Sequence, residues 1–216
     1  MSALATSALD RVATEGVIAV IRAPDVDHAV HAGRALVAGG VRAIEVAFTT
    51  PGAPEAIAEL AREPTAFVGA GTVLSAAHAS AAIAAGARFL VSPGLVEATL
   101  ELGDEAGVLV IPGALTPTEV LAAAGRATVV KLFPAGLGGP AYLRALLAPL
   151  PDLRLIPTGG VTAANVAEWR AAGAFALGAG ADLCSPAAIA AADGAAIATA
   201  AARYRRAIDG AREARA

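Results

Sequence analysis

Residues 17–48 read VIAVIRAPDVDHAVHAGRALVAGGVRAIEVAF, and this stretch contains the repeating unit of the chain. The runs VIAVI and AIEVAF are short and almost wholly apolar, as is typical of parallel strands that other layers cover on both faces. Between them, Asp25 is a candidate N-cap for a helix over residues 25–38, and Gly39 and Gly40 suit the end of that helix. The stretch therefore predicts a strand, a helix and a second, parallel strand.

This unit recurs with a period of about 20 to 27 residues over most of the chain. The predicted strands cover residues 16–23, 43–48, 66–73, 88–93, 108–114, 129–135, 153–160 and 174–182. Helical stretches between them end at Gly86, Gly107, Gly125 and Gly173, and residues 187–216 are predicted to form a terminal helix. Eight alternating units predict an α/β fold of the (β/α)8 TIM-barrel type, in which the parallel sheet closes on itself.

An open doubly wound sheet is the alternative fold. Such a sheet more often shows one dominant nucleotide-binding turn of the G-x-G-x-x-G type after its first strand. The corresponding turn of this chain reads IRAPD, over residues 21–25. The closed barrel is therefore favoured.

Length and charge restrict the class of protein. The 216 residues suit a single domain over 1–216, and the net charge of −3, with both signs interspersed, offers no extended cationic face to nucleic acid. No apolar run approaches the roughly 18 uncharged residues that span a bilayer, and the first residues do not read as a signal peptide. We expect a cytoplasmic protein with neither a nucleic-acid nor a membrane partner.

The residue types that bind metals are scarce. Cys184 is the only cysteine, which is too few for an internal disulfide or a Cys-rich metal site. The histidines, His28, His31 and His78, have no accompanying cluster of carboxylates or further histidines. We therefore predict solvated histidines and no metal site.

Lys131 is the only lysine, against fifteen arginines, since lysine and arginine together number 16. Arginine can make a surface ion pair, but its guanidinium does not deprotonate in proteins and cannot act as a neutral amine. Lys131 lies in the apolar run TVVKLFP, residues 128–134, where a charged side chain has a large desolvation cost. Burial and a neighbouring cation such as Arg22 both favour the uncharged amine, which is a carbonyl nucleophile. The alternatives are a lysine that reaches the barrel rim or one that pairs with a carboxylate.

Glu45 is also embedded in an apolar strand, AIEVAF. Barrel enzymes carry their active sites at the C-terminal ends of the strands, which is where the second and sixth strands place Glu45 and Lys131. We predict that Glu45 is the general acid or base of the site. An inert interior ion pair with Lys131 is the alternative.

The ends of the predicted seventh and eighth strands indicate a phosphate site. Gly159 and Gly160 follow one strand and Gly180 follows the other, and Thr158 adds a hydroxyl group. Glycine allows backbone N–H groups to approach a phosphate closely, and barrels often bind phosphate at this place. Tight turns without a ligand are the alternative.

Eight motifs in a fixed order extend over nearly the whole chain. They are AVIRA (19–23), AGGVRAIEVAFTTP (38–51), VGAGTV (68–73), FLVSPG (89–94), PGALTPTE (112–119), VVKLFPA (129–135), IPTGGV (156–161) and ALGAGADL (176–183). With these motifs the chain resembles the bacterial 2-keto-3-deoxy-6-phosphogluconate aldolases, a family that includes 4-hydroxy-2-oxoglutarate aldolases. Each motif is weak alone, but the set is highly specific.

The resemblance implies a class I, Schiff-base aldolase of the Entner–Doudoroff pathway. Such a lyase cleaves 2-keto-3-deoxy-6-phosphogluconate to pyruvate and glyceraldehyde 3-phosphate, and 4-hydroxy-2-oxoglutarate to pyruvate and glyoxylate. It implies Lys131 as the imine-forming lysine and Glu45 as the base, acting through water. It also implies a homotrimer that needs no metal or other cofactor.

The same resemblance suggests roles for further residues, which are Arg22, Thr72 and Pro93 in the pyruvyl pocket, Phe133 beside the imine, and Gly159, Gly160 and Gly180 at the phosphate. Two positions depart from the family pattern. Thr49 stands where some members have a carboxylate-binding arginine, so that Arg22 has to supply the charge. Ala181 stands where many members have a serine, which removes one hydroxyl contact to phosphate.

Three other functions remain open at this point. The first is a 2-keto-3-deoxy-6-phosphogalactonate aldolase, because the sequence does not determine the pocket shape that selects the C4 configuration. The second is a phosphate-binding isomerase or synthase without covalent chemistry. The third is a ligand-binding barrel without catalysis, since a fold does not determine a function.

Overall fold

Helices and parallel strands alternate through residues 1–213, the part of the chain that the computed structural model describes. The strands are β1 (Val17–Ile21), β2 (Ala43–Ala47), β3 (Phe67–Gly71), β4 (Phe89–Val91), β5 (Leu109–Ile111), β6 (Gly113–Ala114), β7 (Val130–Leu132), β8 (Leu155–Pro157) and β9 (Leu177–Ala179). The helices are α1 (Ala3–Glu15), α2 (Val26–Ala38), α3 (Ala53–Leu60), α4 (Ala76–Ala84), α5 (Glu97–Ala106), α6 (Pro117–Ala124), α7 (Gly139–Leu147), α8 (Val166–Ala171), α9 (Pro186–Ala190) and α10 (Gly194–Glu213). Short 3-10 turns cover Ala135–Leu137 and Ala163–Asn165.

The strands form two curled parallel sheets. One has the order β5-β4-β3-β2-β1-β9 and the other the order β6-β7-β8. An isolated parallel bridge between Thr158 and Gly178 lies beyond the ends of β8 and β9. The α/β class and the parallel strands are thus as predicted.

Every strand is shorter than the sequence predicts, by one or more residues at one or both ends. The predicted fifth strand is interrupted at Pro112, which has no N–H to donate and separates β5 from β6. Both predicted ends of α2 hold, because the Asp25 side chain caps its start by accepting from the His28 N–H at 2.9 Å and Gly39 follows its last residue. Gly125 follows α6 with a φ of −68°, whereas Gly86, Gly107 and Gly173 have positive φ values of +91°, +68° and +102°.

The predicted terminal helix is in fact two helices. α9 and α10 are separated by residues 191–193, where Ala192 has a φ of +48°. Residues 214–216 of the prediction lie outside the described residues.

Two apolar clusters hold the layers together. The larger lies between strands and helices and includes Leu36, Leu60, Trp169 and Tyr204. The smaller, here the interior cluster, gathers side chains from the starts of the strands, namely Ile18, Ala43, Phe67, Phe89, Leu109, Val129, Ile156 and Ala176. Continuous apolar strands are explained by this arrangement, since each strand packs on both faces.

Helix α1, which the sequence reading missed, completes the interior cluster. Its buried residues Ala5, Ala8, Leu9 and Val12 recur at the spacing of one helical face. The Ser2 side chain caps its start by accepting from the Ala5 N–H, and Gly16 ends it with a φ of +72°. Within residues 1–213, no helix is both long enough and apolar enough to cross a bilayer.

Two leucines of α1 test its contribution to stability. Leu9 is 6% exposed and Leu4 is 58% exposed. We expect Leu9→Ala to lower the free energy of unfolding by about 2 to 4 kcal/mol, because it leaves a cavity in the core. The control Leu4→Ala should change it by less than about 0.5 kcal/mol. Urea denaturation of both variants measures this, and equal effects would contradict a core role for α1.

Candidate active site

The interior face of the strands continues upward from the interior cluster to the candidate site. In a strand, side chains two residues apart point to the same face. Continuing in steps of two from the interior cluster reaches Arg22 from Ile18, Glu45 from Ala43, Gly71 from Phe67, Pro93 from Phe89, Lys131 and Phe133 from Val129, Thr158 from Ile156, and Gly180 from Ala176. Most of the predicted site residues therefore form the upper layer of one interior.

Lys131 and Glu45 form a buried ion pair. The Lys131 Nζ lies 3.7 Å from the Glu45 Oε1, and the two residues are only 5% and 3% exposed. The Glu45 carboxylate accepts no hydrogen bond from any described residue. A buried pair without supporting hydrogen bonds contributes little to stability, because desolvation offsets the attraction. The lysine does not reach the rim but pairs with a carboxylate in the interior.

Two neighbours shape the surroundings of this pair. The Lys131 Nζ lies 5.2 Å from the centroid of the Phe133 ring. A Cβ added to Gly71 would lie 2.0 Å from the Glu45 Oε1, so only glycine leaves room for this carboxylate. The next residue, Thr72, has a φ of +57°, a left-handed conformation that threonine rarely adopts and that tends to occur at functional sites.

A cavity of about 380 Å³, here the glycine cavity, opens at the ends of β8 and β9. Its lining includes six of the predicted binding residues, namely Arg22, Phe133, Thr158, Gly159, Gly160 and Gly180. Arg22 is exposed and makes no ion pair with any described residue, so its charge is available to a ligand. Asp182 also lines the cavity, but its carboxylate accepts from the Ala163 N–H at 3.0 Å and from Arg203 at 3.2 Å.

The turn that lines the glycine cavity contains backbone N–H groups without hydrogen-bond acceptors. Gly159 and Gly160 have φ values of +89° and +77°. The N–H groups of Gly160 and Val161 donate to no described residue. Successive free N–H groups in such a turn form an anion-binding concavity. The Thr158 hydroxyl is buried beside Gly178, where an added Cβ would lie 2.1 Å from it.

A second cavity, of about 300 Å³, lies on the other side of Phe133. Pro93, Leu115 and Glu119 are in its lining together with Phe133 itself. Hydrogen bonds from the backbone N–H groups of Thr116 and Leu115 lower the pKa of Glu119. This carboxylate is engaged in capping α6.

Some predicted residues lie elsewhere. Thr49 is exposed in the turn after β2 and lines neither cavity, and Thr72 lines neither cavity as well. The neighbouring Thr50, which the sequence reading missed, is buried and accepts from the Ala23 N–H at 3.0 Å. His78 was expected to be solvated but stacks on Phe48, with ring centroids 4.3 Å apart.

The cysteine, histidine and acidic side chains have surroundings that differ from those of a metal site. Among residues 1–213, no group of three or more His, Cys, Asp or Glu side chains is arranged to hold a metal ion. Burial raises the pKa of Cys184 to about 12, so this thiol stays protonated. The His28 Nδ1 lies 2.7 Å from Asp25 at the start of α2.

Known proteins are similar to this chain in sequence and in structure. The family described as KDPG and KHG aldolase, where KDPG is 2-keto-3-deoxy-6-phosphogluconate and KHG is 4-hydroxy-2-oxoglutarate, matches residues 9–200. The KHG/KDPG aldolase of Escherichia coli strain K12 is 40% identical over 169 residues, which are 77% of this chain and 79% of that protein. A probable 2-dehydro-3-deoxy-6-phosphogalactonate aldolase of Rhizobium meliloti is 36% identical over 173 residues, 78% of this chain and 82% of that protein.

A solved structure adds agreement in three dimensions. The KDPG aldolase from Legionella pneumophila, with pyruvate captured at low pH as a covalent carbinolamine intermediate, matches with a TM-score of 0.83 at 30% identity. The match covers 90% of this chain and 96% of that chain. On the family match and on these identities, the chain belongs to the KDPG and KHG aldolase family.

Proposed function

We propose that the protein is a class I aldolase that cleaves 2-keto-3-deoxy-6-phosphogluconate to pyruvate and glyceraldehyde 3-phosphate. The observation that carries the proposal is the buried pair of Lys131 and Glu45, 3.7 Å apart in the upper layer of the strand interior. The Legionella relative held pyruvate as a covalent carbinolamine, and a carbinolamine requires an amine nucleophile. Lys131 is the only lysine of the chain.

In this mechanism Lys131 and Glu45 carry out the carbon–carbon cleavage through an imine. Lys131 gives its ammonium proton to Glu45 and adds to the C2 carbonyl of the substrate, forming a carbinolamine. Glu45 returns the proton to the departing hydroxyl, so that water leaves and a protonated imine remains. The Glu45 carboxylate, through a bridging water, then removes the C4 hydroxyl proton, and the electrons of the C3–C4 bond move into an enamine. The aldehyde leaves, and protonation at C3 and hydrolysis release pyruvate.

The glycine cavity receives the charged end of the substrate. The free N–H groups of Gly160 and Val161 support binding of the 6-phosphate, and Gly159, Thr158 and Gly180 complete this subsite. Arg22 supplies the positive charge near the pyruvyl carboxylate.

The pyruvyl end and the imine lie between the two cavities. Phe133 lines both cavities and forms the wall beside the imine, and Pro93 closes the pyruvyl end. Thr72 lines neither cavity, so its place in the pyruvyl pocket rests on the family resemblance. Thr49, which is exposed, has no role in this mechanism.

Two further substrates are candidates. The unphosphorylated 4-hydroxy-2-oxoglutarate would give pyruvate and glyoxylate, and the name of the Escherichia coli relative includes this activity. The Rhizobium meliloti relative favours 2-keto-3-deoxy-6-phosphogalactonate, which differs in configuration at C4. Comparing kcat/KM for the three substrates ranks them.

The proposal extends to the assembly. We propose that the two sheets close into one (β/α)8 barrel in a single domain, which the bridge between Thr158 and Gly178 and the adjacency of β5 and β6 at Pro112 support. A homotrimer would cover part of the exposed apolar surface, such as Leu137, which is 77% exposed. Light scattering would then give three times the chain mass. Activity without an added metal and a cytoplasmic location stay predictions.

Borohydride reduction in the presence of pyruvate tests the imine. We expect a pyruvate-derived adduct on Lys131, found by intact mass and peptide mapping, because reduction fixes an imine as a stable amine. In Lys131→Arg the adduct should vanish and turnover should fall by at least about a thousand-fold. In the control Arg88→Lys, which adds an exposed lysine, the adduct should remain on Lys131. An unlabelled wild-type enzyme would favour the non-covalent barrel functions.

Glu45→Gln separates imine formation from cleavage. We expect kcat to fall by about 10²- to 10⁴-fold, because the amide cannot accept the C4 hydroxyl proton. Slow borohydride trapping on Lys131 should persist, since Lys131 is still present. The control Glu55→Gln changes an exposed residue of α3 and should keep wild-type turnover. Full turnover of Glu45→Gln would reject its role as the base.

A further inference from the structure

The turn over residues 158–162, here the glycine turn, requires support from its neighbours. Two of its residues, Gly159 and Gly160, have left-handed backbone conformations, and consecutive glycines leave a chain with high conformational freedom. An anion site made of backbone N–H groups binds well only if those groups are already oriented. The side chains that hold this turn therefore influence the proposed phosphate subsite.

Two residues outside the turn hold it from both sides of Val161. The Asn165 Nδ2 donates to the Gly160 carbonyl at 2.9 Å, and its Oδ1 accepts from the Thr162 N–H at 2.8 Å. The Tyr204 hydroxyl, which extends from α10, donates to the Val161 carbonyl at 3.1 Å. The peptide groups before and after Val161 are thus both fixed by side chains.

Because the peptide group is rigid, fixing the Gly160 carbonyl also fixes the direction of the Val161 N–H. In a planar trans peptide, the carbonyl and the following N–H point in opposite directions. Because Asn165 holds the Gly160 carbonyl, the Val161 N–H points away from Asn165, and it has no acceptor among the described residues. Val161 itself lines the glycine cavity.

The next N–H groups along the chain show a contrasting pattern. The N–H groups of Thr162 and Ala163 are taken by Asn165 and Asp182, respectively. The N–H groups of the two preceding residues, Gly160 and Val161, stay unpaired, and both residues line the cavity. The side chains of Asn165 and Asp182 therefore occupy the N–H groups that follow Val161 and leave the Val161 N–H free to bind an anion.

We propose that Asn165 and Tyr204 are positioning residues that orient the glycine turn toward the substrate phosphate and so set the preference for phosphorylated substrates. The proposal rests on the proposed aldolase function. Neither residue lines the glycine cavity, and both act through the backbone around Val161.

The surroundings of Tyr204 keep its hydroxyl group protonated, so that it remains a hydrogen-bond donor. Its side chain is fully buried in the larger apolar cluster. Burial, and after it the negative charge of Asp182, raises the pKa of Tyr204 well above its ordinary value. The hydroxyl therefore keeps its proton throughout the pH range in which the enzyme would work.

The variant Tyr204→Phe removes the hydroxyl and keeps the buried ring. Two reactions are compared on one preparation: cleavage of whichever phosphorylated sugar acid the wild type cleaves better, and exchange of the pyruvate methyl protons in D₂O, which uses the imine but no phosphate. The ratio of their kcat/KM values is independent of the folded fraction. We expect Tyr204→Phe to lower this ratio by about three- to ten-fold, mainly through KM for the phosphorylated substrate.

Two further variants complete the test. Asn165→Ala, which frees the Gly160 carbonyl and the Thr162 N–H together, should lower the ratio by at least as much as Tyr204→Phe. The matched control is Tyr142→Phe, whose hydroxyl donates to the Leu115 carbonyl at 2.8 Å in a different loop, and it should leave the ratio unchanged.

The outcomes separate the two proposals. A wild-type enzyme that neither cleaves the sugar acids nor exchanges pyruvate protons rejects the aldolase function itself. An active wild type with an unchanged ratio in Tyr204→Phe and Asn165→Ala rejects the positioning role alone. Equal losses of both reactions also reject it, because they indicate a general effect on the enzyme.

Discussion

The alternation of side chains along parallel strands is the constraint on which this structure depends. Most strands have an apolar residue of the interior cluster at or next to their start, and residues of the candidate site follow it in steps of two along the chain. The apolar residues near the strand starts and the site residues near the C-terminal strand ends therefore depend on the same strand register. A shift of a strand by one residue would send its site residue toward the helices and its apolar residue away from the core.

The buried pair of Lys131 and Glu45 is tolerated because the small residues around it leave space. Gly71 makes room for the Glu45 carboxylate, as Gly178 does for the Thr158 hydroxyl. The pair lacks supporting hydrogen bonds, so its burial lowers stability relative to an apolar pair. The two apolar clusters offset that cost. Stability and reactivity are therefore assigned to different layers of the same interior.

Helix α10 connects distant parts of the chain to the glycine turn. Arg205 donates to the Glu15 carbonyl at 2.8 Å and Arg212 to the Ala13 carbonyl at 2.9 Å, which ties this helix to the end of α1. Between these contacts and the turn lies Tyr204, whose neighbour Arg203 pairs with Asp182 at the cavity. The helix at the end of the described chain thus has a part in organising the anion site.

The sequence alone determined the α/β class, the approximate strand positions, the unusual status of Lys131 and Glu45, and the family. These follow from local patterns, because apolar runs, cap residues and motif spacing are properties of neighbouring positions. Only the tertiary structure decided that Thr49 faces solvent, that α1 completes the interior cluster, and that Asn165 and Tyr204 hold the glycine turn. The bond from Tyr204 to Val161 joins residues 43 positions apart, and no local pattern encodes such a contact.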